Sequence, residues 1–138
     1  MHCKKHYIAP KCKKECDKGS QLKYEKDKHY GKKAYTITSG DERQIQLEII
    51  KNGPVVATFT AYTDLITYKH GVYRLHDDGS PMGGHAVRMI GWGIENGTHP
   101  YWLITNSWGE HYGIKGLLKI RRGNNECGIE EHIIAGLP

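Results

Sequence analysis

Two polar residues, His85 and Asn106, lie at matching ends of a predicted β-hairpin, and their side chains could form part of a catalytic site. Residues 85–90 and 101–106 alternate in side-chain character with the period of two that is typical of half-buried strands. Asn96-Gly97 between them is a strong signal for a tight hairpin turn. Folding the chain at this turn brings His85 opposite the segment from Asn106 to Trp108.

An imidazole held by a carboxamide is suited to the chemistry of a thiol protease. The imidazole takes the proton of a nucleophilic thiol and later returns it to the leaving amine. A neutral amide is enough to orient the ring, because the resting pair is already a thiolate and an imidazolium. A histidine beside an asparagine is also common in a purely structural role, so the pair alone leaves both interpretations open.

Several short motifs surround the hairpin. They are Gly84-His85-Ala86, Gly91-Trp92-Gly93, Asn106-Ser107-Trp108-Gly109 and Cys127-Gly128-Ile129. These motifs resemble the C-terminal half of papain-like cysteine peptidases. The resemblance is strongest to the cathepsin B-like members of that family, because residues 27–31, 51–55 and 82–84 also match them. It extends over essentially the whole chain.

The resemblance implies a role for each residue of the site. His85 is the catalytic base, Asn106 is its orienting partner, and Trp108 is the indole that shields their hydrogen bond from water. The implied substrate-binding residues are Gly84, Ala86, Thr58 and His132. The carbonyl of Gly84 would accept a hydrogen bond from the substrate backbone, and the other three would line the pocket for the residue second before the cut. Cathepsin B-like enzymes usually carry Glu at the position of His132.

The reactive cysteine of this family lies roughly 130–150 residues before the catalytic histidine. That position falls before Met1, and no cysteine of this chain has the Cys-Gly-Ser-Cys-Trp context expected of the nucleophile. The resemblance therefore implies the C-terminal, right-hand half of a two-domain enzyme that hydrolyses peptide bonds, without its nucleophile. We expect the chain alone to be inactive. Its expected partners are the missing N-terminal half and a peptide or protein substrate.

Three further cysteines, Cys3, Cys12 and Cys16, fall near the start of the chain. By the resemblance they form disulfides whose partners lie outside this sequence. An alternative is a zinc site that includes His6, since the spacing Cys-x2-His-x5-Cys-x3-Cys is tolerable for that metal. The favoured interpretation has no metal and no cofactor. Cys127 is expected to be a buried, unpaired side chain rather than a nucleophile.

Charge is distributed unevenly along the 138 residues. Residues 1–33 contain eleven Lys against four acidic residues, a net charge of +7, whereas residues 34–138 have a net charge of −2. We predict an irregular, cysteine-containing arm over the first range and the papain-like right-hand domain over the second. A basic arm can bind nucleic acid, but no Arg cluster or nucleic-acid motif accompanies it, so a solvated surface loop is favoured.

The second range is predicted to be an α+β domain with an antiparallel, barrel-like sheet and one clear helix. The helix is expected over residues 41–51, with a capping box from Ser39 to Glu42 and a stop at Gly53-Pro54. Residues 63–73 should mix helical turn and loop. Besides the hairpin, strands are predicted over residues 55–62, 117–121 and 133–137.

The sequence also bears on the cellular location. It contains no run of about 18 apolar residues that would predict a membrane span, and no signal-peptide pattern follows Met1. The resemblance implies a lysosomal or secreted protein. Asn96-Gly97-Thr98 fits the acceptor pattern for N-glycosylation. Two other functions stay open: a stand-alone, non-catalytic binding protein of the same fold, and a small zinc-binding module formed by the arm.

Overall fold

A computed structural model describes residues 11–138, and the chain divides into two compact units between Tyr30 and Gly31. The described part of the first unit is mostly exposed and irregular, with a single 3-10 turn at Tyr24–Lys26. Cys3 and His6, on which the zinc alternative depends, lie outside the described residues. The division predicted after residue 33 stays a prediction.

The second unit is built on one sheet. Its elements are β1 (Lys33–Thr36), α1 (Glu42–Asn52), β2 (Val55–Tyr62), β3 (Val72–Tyr73), β4 (Pro81–Glu95), β5 (His99–Thr105), β6 (Leu117–Arg121) and β7 (His132–Leu137). The strands are ordered β1-β7-β2-β4-β5-β6-β3. Every neighbouring pair is antiparallel except β3 and β6, which run parallel. The α+β class with one α-helix among the described residues is confirmed, but the sheet is open, because β1 and β3 are its two edges.

The helix begins differently from the prediction. The N-cap residue is Asp41, whose carboxylate accepts a hydrogen bond from the backbone N–H of Gln44 at 2.9 Å. The predicted capping box from Ser39 to Glu42 is therefore wrong. Asp41 is closer to the first helical residue, and its negative charge also favours the positive end of the helix dipole. Gly53 ends the helix as predicted, with a φ of 95° that favours glycine.

The core lies on one face of the sheet. In β2 the alternate residues Val55, Ala57, Phe59 and Ala61 are buried, while the residues between them are partly or fully exposed. Trp102 and Ile104 of β5 are fully buried on the same side of the structure, and Ile45 of α1 is also fully buried in this core. Burying each such large side chain stabilises the fold by about 1.5–3 kcal/mol.

The hairpin that carries the candidate site residues has the predicted turn. Asn96 and Gly97 have φ values of 50° and 74°. A type I′ hairpin turn requires a positive φ at both of its central residues, and these two residues provide it. The pairing runs from Glu95 opposite His99 back to Arg88 opposite Thr105, with an irregularity between Met89 and Gly91. That irregularity shifts the register by one residue before the strands reach the site.

The connections agree with the predictions less closely. Residues 63–73 contain the 3-10 segment Thr63–Thr67 followed by the short strand β3, which was not predicted. The edge strand β1 was not predicted either. Of the helices found in residues 11–138, none has the length and apolar character needed to cross a membrane.

Candidate active site

The site forms where β4 and β5 stop pairing. His85 lies on β4 opposite Phe59 of β2, so its ring points to the same side of the sheet as the core side chains. Asn106 directly follows β5, and its backbone N–H donates to the carbonyl of Gly116 at 3.0 Å. The two side chains are brought together by the hairpin, as the sequence predicts.

A hydrogen bond joins His85 and Asn106. The imidazole Nε2 lies 2.8 Å from the amide Oδ1 of Asn106 and donates to it, because an amide oxygen can only accept. The same oxygen accepts the backbone N–H of Ser107 at 2.8 Å, which fixes the orientation of the amide. The proton of a neutral imidazole therefore lies on Nε2. The other ring nitrogen, Nδ1, has no partner within residues 11–138 and can act as a base.

Aromatic rings hold the imidazole from two directions. The indole of Trp108 stacks on it with 5.1 Å between ring centroids and 25° between planes. Phe59 makes an edge contact with the imidazole at 5.7 Å between ring centroids, and Tyr112 makes an edge contact with Trp108 at 4.9 Å. The site thus rests on a row of four rings, with Trp108 37% exposed on the outside.

Phe59 and Tyr112 were not identified from the sequence. The alternation of β2 places Phe59 among the core residues, but nothing local indicates that β2 pairs with β4. Tyr112 is buried, and its hydroxyl donates to the carbonyl of Leu65 at 3.0 Å. Burial raises the pKa of Tyr112 well above its usual range, so the hydroxyl stays protonated and remains a donor at every ordinary pH.

The amide of Asn106 is buried, with 8% of the residue exposed. Its Nδ2 atom has no hydrogen-bond partner among the described residues. Leaving a buried N–H unpaired costs about 1–3 kcal/mol. The arrangement therefore commits the oxygen of this side chain to the imidazole and leaves the nitrogen uncompensated.

Three of the four substrate-binding residues implied by the resemblance lie in one row across neighbouring strands. Thr58 of β2 pairs with Ala86 of β4 on one side and with His132 of β7 on the other. Side chains directly across neighbouring strands share a face, so the three point the same way. A cavity of ≈ 240 Å³ is lined by Thr58, His132 and Gly84, among others. Gly84 is exposed and follows Gly83, whose φ of 124° would strain any other residue.

Cys127 borders the same cavity. It is partly buried, packs against the core, and forms no disulfide with another cysteine of residues 11–138. Burial, with a smaller contribution from the charge of Glu126, raises the pKa of the Cys127 thiol to about 11. A thiol with that pKa is almost entirely protonated near neutral pH, which is the opposite of what a nucleophilic cysteine requires.

The remaining predicted residues lie elsewhere. Cys12 and Cys16 are in the first unit and form no disulfide with any described residue. Asn96 is exposed at the hairpin turn, where the acceptor pattern for glycosylation is accessible. No group of three or more His, Cys, Asp or Glu side chains within residues 11–138 is placed to hold a metal ion.

Comparisons with known proteins identify the family to which this chain is related. The family "Papain family cysteine protease" matches residues 2–137. A "Cathepsin B-like cysteine proteinase" of Schistosoma japonicum is 51% identical over 96% of this chain and 38% of its own length. "Cathepsin B-like cysteine proteinase 3" of Ostertagia ostertagi is 51% identical over 94% of this chain and 72% of its own length. The solved structure "proCathepsin B S9 from Trypanosoma congolense" is 49% identical, with a TM-score of 0.74 over 78% of this chain and 36% of that one.

The chain belongs to the papain family of cysteine proteases. Its relatives place it with the cathepsin B-like proteins of that family. It spans 38% of the length of the Schistosoma relative.

Proposed function

We propose that this chain is the C-terminal, right-hand half of a cathepsin B-like cysteine peptidase that hydrolyses peptide bonds. In it, His85 acts as general base and acid and Asn106 as the positioning residue. The observation that carries the proposal is the 2.8 Å hydrogen bond from His85 Nε2 to Asn106 Oδ1, which leaves Nδ1 unpaired among the described residues. The thiol that faces Nδ1 comes from a segment outside these 138 residues.

The proposed reaction follows from the two nitrogens of the imidazole. Nδ1 takes the proton of the thiol, and the thiolate attacks the carbonyl carbon of the scissile bond. The imidazolium then protonates the leaving amine, which departs and leaves a thioester. Water attacks the thioester while Nδ1 of His85 accepts its proton, and the acid product leaves as the thiol is regenerated. Asn106 keeps Nδ1 of His85 directed at the thiol throughout the reaction. Trp108 covers the hydrogen bond that joins His85 to Asn106.

The row of Thr58, Ala86 and His132 is proposed to bind the substrate side chain that is second before the cut. The small side chain of Ala86 leaves room for it, and Thr58 and His132 offer polar groups. The exposed carbonyl of Gly84 is proposed to accept a backbone hydrogen bond from the substrate. The paired strands that carry these residues support the proposal, because they fix all of them on one rigid surface.

A lysosomal or secreted location and disulfides at Cys3, Cys12 and Cys16 are part of the same proposal. Their partners would come from the missing half. Thiol counting in denaturant, before and after reduction, tests this in the complete enzyme. Free thiols at all three positions would contradict the disulfides, and bound zinc would favour the zinc module instead.

The test of the function is a chimaera in which this chain follows the N-terminal part of the Schistosoma relative. The 138-residue chain alone should not cleave a dipeptide fluorogenic substrate between pH 5 and 7, whereas the chimaera should, in a manner blocked by a thiol-directed epoxide. His85→Ala in the chimaera should lower turnover by about 10²–10⁴-fold, because proton transfer is lost. Asn106→Ala should cost less, because the base is still present.

His70→Ala is the matched control, since His70 is exposed and makes no hydrogen bond to the site residues. Unchanged turnover in the His85→Ala chimaera would refute the assigned base. A folded chimaera without activity would instead support the stand-alone binding protein. Turnover by the isolated chain that the epoxide blocks would show that the nucleophile lies within these residues.

A further inference from the structure

We propose that a cavity at the turn of the β4–β5 hairpin binds a sugar that carries a sulfate or phosphate ester. The cavity has a volume of ≈ 630 Å³ and lies between the hairpin turn, the residue after β3 and the end of β6. That volume is in the range of small-molecule binding sites and far exceeds the size of a single ion.

Two arginines define the charge of the cavity. The parallel pairing sets Tyr73 beside Ile120, so Arg74 and Arg121 are the next two neighbours along these strands. Both are exposed, and neither forms a salt bridge with an acidic side chain within residues 11–138. Positive charges at neighbouring positions repel each other, and the planar forks of guanidinium groups match the oxygens of a sulfate or phosphate ester. An oxyanion between them would relieve the repulsion.

The acidic residues near the cavity do not cancel this charge. Glu95 also lines it, but its carboxylate is paired with Lys119 Nζ at 2.6 Å. Glu126 and Asp77 border a separate cavity of ≈ 390 Å³ that shares Arg74 and Arg121. Glu126 accepts the backbone N–H of Leu75 there at 3.1 Å. The larger cavity is therefore left with a net positive lining.

The other polar groups suit the hydroxyls of a sugar. The amides of Asn96 and Asn124 can each donate and accept hydrogen bonds, and both residues line the cavity. The hydroxyl of Thr98 lies 2.9 Å from Nδ1 of His99, which leaves Nε2 of that ring available to a ligand. Neutral donors and acceptors beside a pair of guanidinium groups form a site for a polar ring with one anionic substituent.

This site is independent of the proposed peptidase site. His85 and Glu95 are ten residues apart on the single strand β4, a separation of roughly 33 Å along an extended chain. A substitution that abolishes binding at one site should leave the other site intact, so a negative result for one does not count against the other.

The experiment follows backbone amide shifts of the full chain in two-dimensional NMR spectra. Glucose 6-sulfate and glucose 6-phosphate are titrated in turn, with glucose and inorganic sulfate as reference ligands. The sugar esters should shift the backbone amide signals of Asn96, His99 and Asn124 in a saturable way. The ester with the lower Kd shows whether the site prefers a sulfate or a phosphate group. Glucose should cause no such shifts. Shifts confined to the lysines of residues 11–33 would overturn the proposal, as would inorganic sulfate binding as tightly as the sugar esters.

Variants test the two arginines. Arg74→Gln and Arg121→Gln should each weaken binding about tenfold, because each removes a charge-assisted hydrogen-bonding fork. Arg43→Gln is the control, since Arg43 is an exposed arginine on α1 that does not line the cavity. Both test variants alter exposed side chains, so their spectra should otherwise match the parent. Undiminished affinity in both would overturn the proposal.

Discussion

The indole of Trp108 stacks on the imidazole of His85 at 5.1 Å, and a second aromatic ring, Tyr112, makes a T-shaped contact with the indole. We propose that this stack shields the hydrogen bond between His85 and Asn106 from water. In the complete enzyme, Trp108→Ala should lower kcat/KM about tenfold, because water then competes for that hydrogen bond. Trp108→Phe keeps a ring over the imidazole and should lose less. The measurement is kcat/KM for one dipeptide substrate in the chimaera, and equal losses in the two variants would contradict a covering role.

His132 should influence which residue is accepted second before the cut. A carboxylate at this position would attract an Arg substrate side chain, whereas the imidazole offers no negative charge to it. His132→Glu should raise the ratio of Arg to Phe cleavage about fivefold at pH 5, the size expected of one partly exposed ion pair. His132→Gln separates charge from shape. If the Glu and Gln variants give the same ratio, the side chain does not act through its charge.

Glu130 should be important for the stability of the fold. It is 3% exposed and accepts hydrogen bonds from the indole N–H of Trp102 at 2.8 Å, from Gly123 N at 2.7 Å and from Asn125 N at 2.8 Å. Glu130→Gln would turn an amide N–H toward one of these donors. We expect a loss of about 2–3 kcal/mol in the free energy of unfolding. Urea unfolding checks this, with the exposed Glu110→Gln as control; equal stability of the two variants would contradict the role.

Asp64 should make the free energy of unfolding depend on pH in the acidic range. Burial opposes its ionisation, but hydrogen bonds from His76 and from the Tyr73 hydroxyl outweigh burial and hold the pKa of the Asp64 carboxyl below its usual range. A depressed pKa in the folded state contributes stability above the unfolded value of about 3.9, and that contribution is lost as the pH falls through the folded pKa.

Asp64→Asn should therefore be less stable than the parent by about 1 kcal/mol at pH 5.5, where the carboxylate is charged. The difference should shrink at pH 2.5. Urea unfolding at both pH values measures it, and Asp78→Asn, at an exposed position between β3 and β4, is the control. A difference that is the same at both pH values would show that the charge of Asp64 does not contribute.

The sequence predicts those parts of the fold that depend on local patterns. Strand β2 and strand β6 have the predicted bounds, and the Asn96-Gly97 turn sets the register that brings His85 to Asn106. These features follow from alternation and from one dipeptide, which need no knowledge of distant residues. The wrong prediction of the helix cap is also local. Ser39 and Asp41 are both suitable capping residues, and Asp41, which is nearer the helix, is the one that caps it.

The unpredicted features all depend on distant partners. Strand β3 has two residues and no pattern of its own, and it forms because β6 offers it a parallel edge. Phe59 reaches the imidazole of His85 only because β2 and β4 pair in one particular register. The two arginines of the proposed sugar site are 47 positions apart in the sequence and meet through that same parallel pair.

The pairing of β1 with β7 has a consequence for synthesis on the ribosome. Lys33 lies opposite Leu137, and β7 also separates β1 from β2. The first strand of the unit therefore has no place in the sheet until the last one has been translated. Contacts between such distant segments form slowly, since a long loop must close before they stabilise anything. The nascent chain must keep β1 and one edge of β2 unpaired during elongation, until the last strand of the sheet has left the ribosome.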